Sequence, residues 1–133
     1  MSAKVTAVVF ADDVRREVSG KDIIVGAFGG DIVVPALPAP VQLALWVQLN
    51  IRGENVPLEF ELTMPNGAPE GVKMRFELHG KIDGTASVTT PPIGTVVTKE
   101  GYVAVRFRVN EGKNKFTEVA RKKIIVGSPQ LPA

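Results

Sequence analysis

The stretch VQLALWVQLNI, positions 41 to 51, alternates without a break. Val41, Leu43, Leu45, Val47, Leu49 and Ile51 fall on one side, and Gln42, Ala44, Trp46, Gln48 and Asn50 on the other. A period of two over this length does not suit an amphipathic helix and specifies a long strand with one buried face. The pattern recurs three times. Val56, Leu58, Phe60, Leu62 and Met64 alternate with Glu59, Glu61 and Thr63. Val72, Met74, Phe76 and Leu78 alternate with Lys73, Arg75, Glu77 and His79, and Val103, Val105, Phe107 and Val109 enclose Arg106 and Arg108. Such strands predict antiparallel pairing with one wet face. Glu59 and Glu61 are expected opposite Lys73 and Arg75 on that exposed face, where each cross-strand pair contributes about 0.2–1 kcal/mol.

The segments between the alternating runs read as turns. RGEN (52–55) is expected to separate two strands, PNGAPEG (65–71) carries the turn-forming pair Asn66-Gly67, and NEGKN (110–114) closes a hairpin. Prolines gather in the connectors PALPAP (35–40) and TTPPIG (89–94) and in the closing SPQLPA (128–133). Near the start, VTAVVF (5–10) and DIIVGAF (22–28) are apolar on both faces, which predicts a deeply buried pair. Gly26, Gly29 and Gly30 around Phe28 predict a bulge or corner before DIVVP. Between the two apolar runs lies ADDVRREVSGK (11–21), read as a connection. It contains a single helical turn in which Val14 and Val18 align, Asp12 or Asp13 caps and Gly20 stops. The expected fold is all-β: a two-sheet antiparallel sandwich, immunoglobulin-like or similar, of about seven to nine strands. Residues 1–126 form its single domain, and 127–133 a frayed tail.

A chain of 133 residues with 44% hydrophobic content suits one globular domain. There is no cysteine, which excludes disulfides, thiolate metal sites and a thiol nucleophile and fits a reducing compartment. The first residues, MSAKVTAVVFADD, lack the long apolar region of a secretory signal, and no run reaches the length of a membrane span. A cytoplasmic protein is expected, or one assembled into a virion or other particle, with no membrane partner. The net charge of +2 is uneven: positions 99 to 123 hold eight basic and three acidic residues.

Catalytic chemistry finds little support. His79 is the one histidine, on the outward side of its strand, so neither a hydrolase triad nor a histidine metal site has its components. Asp12, Asp13, Glu17 and Asp31 are candidates for a hard cation, but without calcium-loop spacing they read better as caps and solvated loop groups. GAFGGD (26–31) follows a strand as a phosphate loop would, yet strand and proline follow it where a helix is needed. No cofactor is expected. The possible interaction surface is Trp46 with Arg106, Arg108, Arg121, Lys122 and Lys123. The cations would form a basic stripe, and Trp46, on the polar side of its strand, would cover a sheet edge or mark a protein interface.

FADDVRREVSGKDIIVGAFGGDIVVP resembles the opening of a small family of uncharacterised bacterial and phage proteins, through Asp12, Asp13, Val14, Arg15, Glu17, Gly20, Lys21, Gly26 and Phe28. The later YVAVRFRVNEG and EVARKKIIV look like that family's closing hairpin. The resemblance implies a compact β-sandwich, often from a viral or mobile-element setting, and no catalytic residues. The leading expectation is a non-enzymatic binding or structural module whose partner is protein, either itself or a particle component. Nonspecific nucleic-acid or anion binding by the basic hairpin comes second, with weak affinity because few aromatics stand ready to stack. A small enzyme comes third.

Overall fold

The computed structural model describes residues 1–65, 71–109 and 114–127. The protein is all-β. Its strands are β1 (Ser2–Arg16), β2 (Asp22–Ala27), β3 (Ile32–Val34), β4 (Ala39–Thr63), β5 (Val72–Thr89), β6 (Ile93–Val97), β7 (Gly101–Val109) and β8 (Thr117–Val126). They pair in the order β2-β1-β4-β7-β8-β3, with β5 and β6 also on β4. All ladders are antiparallel except β3–β8, which is parallel. The Asn66-Gly67 turn, most of the NEGKN turn and the tail from 128 lie outside the described residues. Gly127 still donates its N–H to Val34 O at 3.0 Å.

β4 is the organising strand. RGEN does not end it, contrary to expectation: the two alternating runs are one strand of 25 residues. The register against β5 slips by one residue between Glu54 and Val56: Asn55 stands alone against His79 and Gly80 of β5 in a bulge, and both Asn55 and Gly80 take positive φ, 50° and 83°. Asn is among the few side chains that tolerate this conformation. Its Oδ1 accepts the N–H of Gly80 at 2.8 Å, which joins the bulge to the facing strand. The bulge therefore preserves pairing across a segment whose composition suggests a turn. β5 is likewise continuous past His79, so that residue sits within a strand and not beside a turn.

The core follows the alternation. Leu43, Leu45, Val47, Leu49, Ile51, Val56, Leu58, Phe60 and Leu62 of β4 pack with Phe10, Val97, Val103, Val105, Phe107 and Ile124. Phe60 meets Phe76 edge-on at 5.8 Å between centroids and Phe107 at 5.0 Å. β1 and β8 approach each other without sharing a ladder. Between β1 and the β7–β8 pair lies a cleft of about 410 Å³ whose lining includes Lys4, Val5, Phe107 and Val119.

Two expectations at the N-terminus are corrected. β1 runs through Arg16, so no helical turn forms: Val14, Arg15 and Arg16 pair with Ile24, Ile23 and Asp22. A strand partner close in sequence satisfies those backbone groups better than one isolated helical turn would. The chain reverses over residues 17–21, where Glu17 N–H donates to Lys21 O and Gly20, at φ 87°, supplies the left-handed residue. β2 is not deeply buried. It ends the sheet, and Ile23, Ile24 and Val25 are all exposed.

The inward face of β4 sets a stability expectation. Leu45→Ala removes a fully buried side chain and should cost about 2–5 kcal/mol in urea melts. Trp46→Gln, on the outer and half-buried face, should cost clearly less. A larger loss for Trp46→Gln would reverse the two faces.

Candidate functional site

Glu59 and Glu61 occupy the central strand with a neighbour on each side. Glu59 stands between Arg75 of β5 and Arg108 of β7, and Glu61 between Lys73 and Arg106. The cross-strand register therefore agrees with the sequence, but the environment does not: Glu59 is 1% exposed and Glu61 is also buried. The reason is what covers them. Arg108 Nη2 lies 3.1 and 3.2 Å from the two carboxylate oxygens of Glu59, and Arg106 Nη1 lies 3.0 Å from Glu61 Oε1. Phe116 is half-buried and roofs this pair of ion pairs, its ring centre 4.0 Å from the Arg108 guanidinium carbon and 5.5 Å from that of Arg106. Arg108 Nη1 adds a bond to Asn114 O at 3.3 Å, whereas its buried Nε finds no partner among the described residues.

The expected basic stripe is thus divided. Arg106 and Arg108 are neutralised within the fold, and Glu118 faces Arg106 in the β7–β8 ladder. Arg121 lies over the ring of Tyr102 at 4.5 Å. Lys122 pairs with Val103 on the opposite face and reaches toward the Phe10 ring at 6.0 Å, while Lys123 pairs with Tyr102 and is exposed. Arg121 and Lys123 share an exposed side; Lys122 does not join them.

Trp46 enters a different cluster. Its Nε1–H donates to Asp22 Oδ2 at 3.0 Å, and Ser87 Oγ donates to the same oxygen at 2.9 Å. Arg16 Nε completes the set by donating to Asp22 Oδ1 at 3.0 Å. The β1–β2 hairpin is therefore latched onto β4 and β5 by one carboxylate. Asp22 is held below the usual carboxylate range, first by the Arg16 hydrogen bond and then by those from Ser87 and Trp46, against the upward push of burial. Sequence reading missed Asp22 because it looked like one more strand-edge acid; the indole on a polar face was the available signal.

The other candidate groups stay apart. Asp13 pairs with Arg15 at 2.9 Å and Glu17 accepts from Ser19 at 3.0 Å, so Asp12, Asp13, Glu17 and Asp31 do not converge. Among the described residues no three His, Asp or Glu side chains gather in a metal-holding group. His79 is exposed, 3.9 Å from Glu77. The glycine-rich GAFGGD leads into β3, and a side chain at Gly26, where φ is 66°, would run into Asp12.

The surface that remains is the hairpin's own outer strand. Ile23, Ile24 and Val25 are 44%, 37% and 41% exposed, so both faces of β2 present apolar side chains. Val18 at the tip is fully exposed. Among the described residues no strand pairs with the outer edge of β2. In comparisons with known proteins, no family model and no curated relative matches the chain. No helix of the described residues is long and apolar enough to cross a membrane.

Two consequences can be measured. Glu59→Ala strands the half-covered Arg108, whose side chain is 17% exposed, and should cost about 3–5 kcal/mol in urea melts. Glu61→Ala leaves Arg106, which is 43% exposed and can turn to water, and should cost less, about 1 kcal/mol. Equal losses would contradict the burial difference. For the latch, Asp22 has a depressed folded-state pKa, so its contribution is complete above the unfolded carboxylate range and is lost as pH falls through the folded value. The stability gap between the wild type and Asp22→Asn should be widest near neutral pH and close in strong acid; a gap that widens on acidification would refute the latch.

Proposed function

We propose that the protein is a non-enzymatic binding or structural module of sandwich type that works through its surface, with the outer edge of β2 as the docking strand for protein. One observation carries this reading: three consecutive apolar residues, Ile23, Ile24 and Val25, stand exposed on a sheet edge. Exposed edges are templates for pairing, and natural proteins usually blunt them with charge or proline. The edge of β5 is blunted in this way by Lys73, Glu77, His79, Lys81 and Asp83, but β2 carries no charge between Asp22 and Ala27. Strand addition would supply the main-chain hydrogen bonds, and the apolar side chains would choose the partner. A place in an assembled particle is part of this proposal. Nucleic-acid binding is the weaker reading, since two of the five cations expected to form its stripe are consumed by Glu59 and Glu61.

Fluorescence anisotropy separates the two. A labelled peptide of alternating Val and Thr should bind saturably, and Ile24→Lys should weaken it by about tenfold or more without changing the circular dichroism. A labelled single-stranded oligonucleotide should bind on the order of 10⁻⁴ M or more weakly at physiological salt. Micromolar oligonucleotide binding that survives that salt and falls on Arg121→Ala with Lys123→Ala would reverse the order.

A further inference from the structure

The edge of β2 has a direction and a register. Glu17 N–H donates to Lys21 O at the start of the hairpin ladder. Alternation from that pair sends the backbone groups of Ile23 and Val25 toward Arg15 and Asp13, and turns the N–H and C=O of Ile24 outward. Gly26 ends the regular stretch; its φ of 66° marks the change, and beyond it Phe28 N–H donates to Phe10 O. The free edge is therefore short, centred on Ile24, and flanked by residues that are apolar on both faces.

We infer that a second copy of this chain occupies that edge, through antiparallel β2–β2 pairing about a two-fold axis at Ile24. The inference rests on the reading of β2 as a docking strand and names its partner. Charge selects the register. With Ile24 opposite Ile24, Ile23 faces Val25 and Asp22 faces Gly26, so no charge meets a like charge. Asp22 also brings its charge already paired to Arg16, and Gly26 places no side chain beside it. A register shifted to put Asp22 opposite Asp22 would oppose two carboxylates. The edge of β5 is no substitute, because Lys73, Glu77, Lys81 and Asp83 would be set against the apolar run. β2 itself supplies the complement that β2 requires, an extended apolar edge without charge between Asp22 and Ala27, and an isologous contact of this kind closes as a dimer.

The two-fold axis gives the test. Sedimentation equilibrium of the full chain over a concentration series should show a monomer–dimer equilibrium. Ile24→Lys and Ile24→Glu should each abolish the dimer, since each sets like charges face to face across the axis, and should leave the urea midpoint unchanged at a concentration where the wild type is monomeric. An equimolar mixture of the two variants should restore a dimer, because Lys then faces Glu. A wild-type monomer up to about 1 mM, or a dimer that persists in both variants, would overturn the inference. If the wild type is monomeric yet still binds the Val-Thr peptide through Ile24, the self-partner fails and the docking strand stands; if it binds neither, both fail.

Discussion

Four ladders meet on β4: it pairs with β1, β5, β6 and β7. A strand of 25 residues with neighbours along both edges has to keep one apolar face inward from end to end, because an uncorrected slip of one residue exchanges its two faces. The inward row passes from odd positions, ending at Ile51, to even positions, starting at Val56, and the irregularity at Asn55 absorbs that change together with the register slip against β5. The inward row forms most of the core. The outward row carries Trp46 in its first half and Glu59 and Glu61 in its second, and each of the two side-chain clusters forms around it.

Those clusters solve one problem in different ways. A carboxylate on a central strand loses water and needs a counter-charge with good geometry. Glu59 receives one guanidinium from the adjacent strand and an aromatic roof from Phe116. Asp22 lies on the terminal hairpin and gathers three donors from three strands, so it ties β2 to β4 and β5 without any ladder between them. In both cases the charge that looks available in the sequence is consumed in holding the sheet together. This leaves the apolar edge of β2, and not the basic hairpin, as the more distinctive surface.

Much of the sheet was legible because half-buried strands write their faces into alternate residues. Leu45 inward, Trp46 outward, and Glu59 opposite Arg75 all follow from period two and a hairpin register. What was not legible depended on neighbours distant in sequence. RGEN has the composition of a turn, and only the presence of β5 alongside makes it a bulge. DIIVGAF reads as buried because apolar runs usually are; its exposure follows from its place at the end of the strand order. The burial of Glu59 requires Arg108 to arrive from β7 and Phe116 from the segment before β8, and the parallel β3–β8 contact joins residues separated by about two-thirds of the chain. The latch was half visible: an indole on a polar face asks for an acceptor, but its acceptor is 24 residues away.

That indole belongs to the single tryptophan of the chain. Its N–H is bonded to the residue that fastens the hairpin, while its neighbours Leu45 and Val47 point into the core. Intrinsic emission from Trp46 is therefore wired to the attachment of one arm before it is wired to the packing of the interior. A swing of the β1–β2 arm would replace a carboxylate acceptor with water at the indole and alter its spectrum with the core intact. The molecule carries its own optical gauge for the position of its terminal strand, β2.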